Sequence, residues 1–205
     1  MTFPTCGLYA ITQTDRKSSD TVIQDVYSAI KGGASVIQYR DKNPEDAVYL
    51  AKQLLNLCKQ HNVPLLINDD AELAHRIGAD GVHIGKDDGG IASARKILGS
   101  KAIIGISCYN DINIALQAEA NGVDYVAFGR FFPSTSKPLA APAQIETLQQ
   151  AKKQIKLPIV AIGGILPDNG EQLLTAGADI LAVIGGIFEH NPEQSAQSYM
   201  KLFNS

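Results

Sequence analysis

Four segments of the chain pair a short apolar run with charged or amide side chains at the carboxyl end of the run. They are Ser35–Lys42, Pro64–Asp69, Gly81–Asp88 and Tyr125–Lys137. Such a run is typical of a buried β-strand, and parallel α/β proteins bind ligands at the carboxyl ends of their strands. Arg40, Lys42 and Lys137 would supply cations there. Asp69 and Asp88 would supply oxygen ligands that suit Mg²⁺, so the sequence predicts a site for a magnesium-bound phosphate ester.

The second predicted strand places an amide and a cation on one face. Gln38 and Arg40 share a side because side chains alternate along a strand, and Lys42 follows at the strand end. A solvated charge cluster in a turn is the alternative interpretation. Gln38 argues against it, because an amide in an otherwise apolar strand needs a hydrogen-bond partner.

Carboxylates follow the next two predicted strands. Asn68 and Asp69 end one strand, and Asp88 follows the other. Mg²⁺ keeps several waters and takes phosphate oxygens, so two protein carboxylates suit it, although a general acid–base pair is the competing role. Asp70 is predicted instead to cap the helix that follows. His83, inside a strand, is predicted to make a core hydrogen bond rather than to bind metal.

Two kinds of loop are suited to phosphate. The segment Pro133–Lys137 supplies three hydroxyl groups and an ammonium group, and glycine pairs at Gly163-Gly164 and Gly185-Gly186 follow the last two predicted strands. Barrels commonly bind phosphate between those last two loops. Glycine pairs also form ordinary turns, so each pair alone is a weak indication.

The order of the elements predicts how these segments meet. Apolar runs alternate with helical patterns along the chain. Strands are predicted at Leu8–Ile11, Ser35–Tyr39, Pro64–Ile67, Gly81–Ile84, Ala102–Ser107, Asp124–Phe128, Ile159–Ile162 and Ile180–Val183. Helices are predicted near Ser19–Lys31, from an Asn43 cap to Cys58, and near Ala71–Ile77, Ile91–Leu98, Asp111–Asn121, Ala143–Gln154, Pro167–Ala176 and Gln194–Leu202. A closed (β/α)8 TIM barrel, as a single domain over residues 1–205, brings every polar strand end to one mouth, and an open doubly wound sheet is the alternative.

A short sequence recurs between a helix and the next strand. It reads Gly78-Ala79-Asp80, then Gly122-Val123-Asp124, then Gly177-Ala178-Asp179. Glycine takes the left-handed conformation that ends many helices. The repeat therefore predicts helix ends at these three places.

The composition excludes several classes of partner. The formal net charge is -3, so no basic field that attracts nucleic acid or anionic lipid is expected. No apolar run has the length of a membrane span, and Met1–Asp20 lacks a signal-peptide pattern. The three cysteines are odd in number and lack metal-ligand spacing, which favours a cytoplasmic location. Small-molecule substrates are the expected partners, and a homo-oligomer is left open.

Taken together, the motifs resemble those of the thiamine phosphate synthase (thiamine-phosphate pyrophosphorylase) family, from Leu8 to about Phe188. They are Gln38-Tyr-Arg-Asp-Lys42, Ile67-Asn-Asp69, Gly81-Val-His-Ile-Gly-Lys-Asp-Asp88, Pro133-Ser-Thr-Ser-Lys137 and Ile162-Gly-Gly-Ile165. The resemblance implies a (β/α)8 barrel that joins hydroxymethylpyrimidine diphosphate to a thiazole phosphate and releases pyrophosphate. It also implies that the pyrimidine C–O bond breaks before the thiazole nitrogen attacks. An isomerase similar to thiazole tautomerase and a non-catalytic phosphate-binding barrel are the alternatives.

The resemblance also implies roles for individual residues. The pyrimidine diphosphate would be held by Gln38, Tyr39, Arg40, Asp41, Lys42 and Asn68. Mg²⁺ would be bound by Asp69 and Asp88. The substrate and the departing pyrophosphate would be contacted by Ser107 and Lys137, which with Arg40 and Lys42 are the implied catalytic residues. The thiazole would be contacted by Ser134, Thr135 and Ser136, and its phosphate by Gly164, Ile184 and Gly185.

The chain departs from the family pattern at four positions. Lys86 stands where the family usually has Gln, Tyr109 where His is common, and Ser136 where Thr is frequent. Gly185 replaces a frequent Ser, which removes a hydroxyl group beside the implied thiazole-phosphate site.

Overall fold

The computed structural model of the protein describes residues 1–85, 89–133 and 141–204. Its strands are β1 Gly7–Ile11, β2 Ala34–Tyr39, β3 Leu65–Asn68, β4 Gly81–Ile84, β5 Ile103–Tyr109, β6 Tyr125–Gly129, β7 Ile159–Ile162 and β8 Ile180–Val183. Its helices are α1 Ser19–Lys31, α2 Ala47–Gln60, α3 Ala71–Ile77, α4 Gly90–Leu98, α5 Ile112–Ala120, α6 Ile145–Gln154, α7 Pro167–Thr175, α8 Gly185–Phe188 and α9 Pro192–Met200, followed by a 3-10 turn at Lys201–Phe203.

The strands pair in parallel and in chain order, and β1 pairs with β8 to close a barrel. The predicted (β/α)8 barrel is therefore confirmed, and the alternative of an open sheet is wrong. The short helix α8 is absent from the prediction, because four residues are too few to establish a helical period. Within the described ranges, no helix combines the length and the apolar character that a membrane span needs.

Alternation along the strands separates two apolar layers. Leu8 and Ala10 of β1 pack in the layer between the barrel and its helices. Tyr9 and Ile11 lie in the barrel interior with apolar residues of other strands. Gln38 is only 2% exposed, and its neighbours in the strand pack in the outer layer. The barrel interior therefore holds polar atoms as well as apolar ones.

The beginnings of two helices show how local capping shapes the mouth. Asp70 caps α3 as predicted, with its carboxylate accepting a backbone N–H at 2.7 Å. The predicted Asn43 cap of α2 is wrong. Asp46 is the cap and accepts from the N–H of Tyr49 at 2.9 Å. Asn43 instead donates its own N–H to Asp41 Oδ1 at 3.0 Å, so this segment forms a turn before the helix begins.

Aspartates connect neighbouring strands at the amino-terminal end of the barrel. In each Gly-X-Asp repeat the aspartate Oδ2 accepts a backbone N–H from the start of the preceding strand. The pairs are Asp80 with Leu65 at 3.0 Å, Asp124 with Ile104 at 2.8 Å and Asp179 with Ile159 at 2.9 Å. Ser35, in the similar Gly33-Ala34-Ser35, donates to the carbonyl of Leu8 at 3.1 Å. Every even-numbered strand is thus bound through a side chain to the strand before it.

Candidate active site

The carboxyl ends of the strands surround a cavity of about 460 Å³. This volume suits a small organic ligand. The predicted site residues that line it are Gln38, Arg40, Asn68, Asp69, Ser107, Gly164, Ile184 and Gly185. They come from five strands and the loops that follow them, so barrel closure brings together residues that are far apart in the sequence.

A smaller cavity of about 260 Å³ adjoins the first and contains Lys42. Arg40, Ile184 and Glu189 line both cavities. Arg40 therefore stands between the main cavity and Lys42. In the described part of the chain neither Arg40 nor Lys42 forms a salt bridge with a carboxylate.

Two predicted substrate-binding residues do not line either cavity. Tyr39 is 3% exposed and packs in the layer between the barrel and the helices. This follows from strand alternation, because Tyr39 lies between the inward-facing Gln38 and Arg40. Asp41 lies in the turn before α2, where its carboxylate accepts the N–H of Asn43. For both residues the predicted contact with substrate stays a prediction, and their side chains lie outside the two cavities.

The end of β3 presents an amide and a carboxylate together. Asn68 Nδ2 donates to Asp69 Oδ2 at 2.6 Å, and the Asp69 N–H donates to the carbonyl of His83 at 2.8 Å. The backbone of Asp69 is left-handed, with φ of 63°, a conformation that aspartate tolerates better than most residues. This conformation separates the carboxylate of Asp69, at the cavity, from that of Asp70, at the helix cap.

Several predicted residues lie outside the described residues. They are Lys86, Asp88, Ser134, Thr135, Ser136 and Lys137. Among the residues that the structure describes, no group of three metal-ligating side chains occurs. Asp69 is thus the described member of the predicted pair of magnesium ligands.

Two tyrosines that sequence reasoning missed cross the barrel interior. Tyr9 and Tyr125 are fully buried, and their hydroxyl groups lie 3.0 Å apart. Gln38 Nε2 donates to Tyr9 Oη at 2.7 Å. On the other side, Tyr125 Oη lies 2.8 Å from His83 Nδ1, and His83 Nε2 lies 2.9 Å from Ser107 Oγ. The predicted core hydrogen bond of His83 is confirmed.

This chain of hydrogen bonds links Gln38 to Ser107 across five strands. The signal that marks its members is the same one that marked Gln38, namely a polar group at an inward position of an apolar strand. Burial raises the pKa of Tyr9 and of Tyr125 above that of free tyrosine. Both hydroxyl groups therefore keep their protons at neutral pH and act as neutral hydrogen-bonding groups.

The two buried cysteines, Cys58 and Cys108, line neither cavity. Burial raises the pKa of Cys108 to about 12 and that of Cys58 to about 12. Both are protonated at neutral pH, and a thiol is a far weaker nucleophile than a thiolate. The site therefore contains no activated cysteine among these residues.

Glu189 and Arg130 also line the main cavity and were not predicted. Glu189 follows the short helix α8, and a Cβ atom built on Gly185 would lie 2.8 Å from its Oε1. Its carboxylate thus occupies space beside the backbone of Gly185. Arg130 follows β6, and its Nη1 donates to the carbonyl of Phe132 at 3.4 Å.

The loops after β6 and β7 lie side by side. The N–H of Phe131 donates to Ile162 O at 3.2 Å, and that of Phe132 donates to Gly163 O at 3.0 Å. A Cβ atom on Gly164 would lie 2.2 Å from the carbonyl oxygen of Pro133, and Gly164 has a φ of 62°. Only glycine fits this contact, so Gly164 holds the start of Pro133–Lys137 against the glycine loop.

Comparison with known proteins identifies relatives along almost the whole chain. Residues 8–187 match the family model described as thiamine monophosphate synthase. The thiamine-phosphate synthase of Nitrosococcus oceani is 52% identical over 202 residues, which cover 97% of this chain and 93% of that protein. The thiamine-phosphate synthase of Methylococcus capsulatus is 48% identical over 206 residues, which cover 99% of this chain and 92% of that protein.

Solved structures agree with this result. The thiamine phosphate pyrophosphorylase from Pyrococcus furiosus superimposes with a TM-score of 0.88 at 32% identity, covering 98% of this chain and 96% of that one. The (S)-3-O-geranylgeranylglyceryl phosphate synthase from Thermoplasma acidophilum has a TM-score of 0.72 at 14% identity, covering 96% of this chain and 92% of that one. The second likeness concerns the fold alone.

Proposed function

The chain belongs to the thiamine monophosphate synthase family, and on that premise we propose that its main cavity is the active site of a transferase. The reaction moves the hydroxymethylpyrimidine group from its diphosphate to the nitrogen of a thiazole phosphate, forming thiamine phosphate and pyrophosphate. One observation carries the assignment of the site: Gln38 of β2, Arg40 directly after β2 and Ser107 of β5 line the same cavity as Asp69, which follows β3.

The diphosphate is held by Arg40 and Lys42 in this proposal. A guanidinium group binds phosphate oxygens through two parallel hydrogen bonds, and Arg40 carries no salt bridge within the described residues that would compete. Lys42 lies in the adjoining cavity that Arg40 also lines. In this proposal the two cations bind successive phosphoryl groups, and Lys137 joins them as a predicted third cation.

Mg²⁺ fits the donor groups at the end of β3. Asp69 offers a hard carboxylate at the cavity, and Asn68 orients that carboxylate through a hydrogen bond. Asp69 and Asp88 would hold the ion, with phosphate oxygens and waters as further ligands. When bound, Mg²⁺ would stabilise the negative charge that the departing diphosphate gains.

The residues of the chain then act mainly by binding and by excluding water. The pyrimidine C–O bond breaks, and its electron pair leaves with the diphosphate, whose charge Arg40, Lys42 and Lys137 balance. The thiazole nitrogen next donates its electron pair to the exocyclic carbon. Apolar residues at the cavity floor, Ile11, Val160 and Ala182, keep water from that electron-poor carbon.

The thiazole phosphate is assigned to the loops that follow β7 and β8. Gly164, Ile184 and Gly185 line the cavity there, and Pro133, which packs against Gly164, is followed in the sequence by the predicted thiazole contacts Ser134, Thr135 and Ser136. The two substrates would thus approach from different strand ends. We further infer a cytoplasmic location, which the three unpaired cysteines support.

A pyrophosphate-release assay tests the proposed function. Purified protein is supplied with both substrates, with each substrate alone, and with both in the presence of a chelator. We expect release only with both substrates and Mg²⁺. Conversion of the thiazole alone would support the isomerase, and saturable phosphate binding without any turnover would support the non-catalytic barrel.

A further inference from the structure

The hydrogen-bond chain between Gln38 and Ser107 has a direction. The amide nitrogen of Gln38 only donates, so Tyr9 Oη accepts from it. The hydroxyl proton of Tyr9 then needs an acceptor, and Tyr125 Oη lies 3.0 Å from Tyr9 Oη. A buried hydroxyl group without an acceptor is costly, so Tyr9 donates to Tyr125.

The same reasoning continues to the cavity. Tyr125 accepts from Tyr9 and donates to His83 Nδ1 at 2.8 Å. A neutral imidazole that accepts at Nδ1 carries its proton on Nε2, which donates to Ser107 Oγ at 2.9 Å. Ser107 therefore receives a hydrogen bond from inside the barrel, and its own proton is directed elsewhere. Ser107 lines the main cavity.

We propose that Tyr9, Tyr125 and His83 are positioning residues that make Ser107 a hydrogen-bond donor toward a ring nitrogen of the pyrimidine substrate. The inference rests on the proposed function. A pyrimidine ring nitrogen is an acceptor, whereas an amino substituent of the ring donates. We call the hydrogen-bonded chain from Gln38 through Tyr9, Tyr125 and His83 to Ser107 the relay. The relay selects which edge of the pyrimidine ring faces Ser107, and this edge sets the orientation of the bond that breaks.

The barrel interior fixes the relay in place. A Cβ atom on Gly105 would lie 1.9 Å from the Tyr125 ring, so glycine is required where the ring crosses β5. Phe3 stacks on the same ring with centroids 3.9 Å apart and planes 6° apart. Burial also raises the pKa of both tyrosines, so the relay keeps its protons at neutral pH. These contacts hold the Tyr125 ring, and with it the hydroxyl oxygen, beside His83.

The opposite polarity would require the amide oxygen of Gln38 to face Tyr9. Tyr9 would then donate to Gln38, and each later bond would reverse. Ser107 would donate to His83 and present only an acceptor to the cavity. The two polarities therefore predict opposite preferences for the substrate, which makes the direction measurable.

Kinetics of three variants test the relay: Tyr125→Phe, Ser107→Ala and the double variant. The value of kcat/KM is measured for the pyrimidine diphosphate at saturating thiazole phosphate. We expect Tyr125→Phe to lower it about ten-fold, the scale of one misdirected hydrogen bond. In the Ser107→Ala background the same change should have no further effect, because Tyr125 acts only through Ser107.

Substrate analogues test the direction. Each ring nitrogen is replaced in turn by C–H, and binding is measured by calorimetry. One replacement should weaken binding to the wild-type protein about ten-fold and have little effect on Tyr125→Phe or Ser107→Ala. Equal losses in all three proteins, or no loss in any, would overturn the relay.

Tyr199→Phe is the matched control for stability. Tyr199 is fully buried and donates to the carbonyl of Ile165 at 2.9 Å, but it has no bond to the relay. The Tyr199→Phe variant should lose about as much stability as Tyr125→Phe. It should still prefer the substrate that has the ring nitrogen, as the wild-type protein does. If Tyr125→Phe does not fold, Tyr9→Phe replaces it, with an expected loss of about three-fold because Tyr125 still reaches His83.

The outcomes separate the relay from the proposed function. Multiplicative effects of Tyr125→Phe and Ser107→Ala in an active protein would overturn the relay and leave the transferase intact. Absence of pyrophosphate release from the wild-type protein would overturn the transferase, and the relay with it.

Discussion

Replacing Glu189 by Gln should improve binding of the thiazole phosphate. The carboxylate of Glu189 lies beside the backbone of Gly185, where a Cβ atom would be 2.8 Å from Oε1. Gly185 is one of the residues proposed to contact the phosphate of the thiazole substrate. A fixed negative charge in that position opposes a phosphate group, and Gln keeps the shape of the side chain while removing the charge.

The size of the effect follows from the exposure of Glu189. Its bond from Gln13 Nε2 is long, at 3.5 Å, and within the described residues Glu189 forms no salt bridge. Two unit charges about 4 Å apart repel by about 1 kcal/mol in water, and by more where solvent is excluded. Because Glu189 is exposed, we take the value for water. We therefore expect the KM for the thiazole phosphate to fall about five-fold at low ionic strength.

Steady-state kinetics at saturating pyrimidine diphosphate measure this change. The difference between the proteins should shrink at about 1 M salt, where the screening length is about 3 Å. Glu171→Gln is the matched control, because this exposed carboxylate on α7 lines neither cavity. An unchanged or higher KM for Glu189→Gln, or an equal fall in the control, would refute the reasoning.

Three further changes have defined outcomes. Asp69→Asn should remove most turnover and weaken the dependence of the rate on Mg²⁺, because it replaces a charged ligand; a normal Mg²⁺ titration would contradict the metal assignment. Arg40→Lys should raise the KM for the pyrimidine diphosphate about ten-fold, because an ammonium group loses the paired hydrogen bonds; wild-type kinetics would remove Arg40 from the diphosphate site. Asp80→Asn should lower the free energy of unfolding by about 1.5 kcal/mol in urea titrations, because the N–H of Leu65 loses a charged acceptor. Its kcat should not change, since Asp80 lies at the opposite end of the barrel, and a large fall in kcat would contradict that separation of roles.

The sequence predicts which side chains of a strand share a face, because side chains alternate along the strand. It therefore also predicts which of them point into the barrel. Gln38 and Arg40 alternate with Tyr39, which fixes their common side once the strand is recognised. Tyr39 belongs to the same contiguous motif, but its side chain packs in the outer layer, and its contact with substrate stays a prediction. Strand geometry allows only every second side chain of such a motif to face the cavity.

Other features depend on distances that the sequence does not contain. Tyr9 and Tyr125 are 116 residues apart, and their contact exists only because the barrel closes. Glu189 reaches Gly185 because the intervening α8 is a single helical turn, too short to leave a periodic pattern. The Asn43 cap was wrong because Asn43 lies in a turn with Asp41, and the helix begins only after Asp46.

The side-chain links at the amino-terminal end divide the barrel into four repeated pairs of strands. The two strands of each pair are joined at the amino-terminal end of the barrel by a hydrogen bond of one side chain, Asp80, Asp124, Asp179 or Ser35. Four of the eight neighbouring strand pairs are therefore joined by side chains at the end of the barrel opposite the main cavity. The loops at the other end of the barrel can therefore change in length and chemistry over evolution while these strand pairs stay joined.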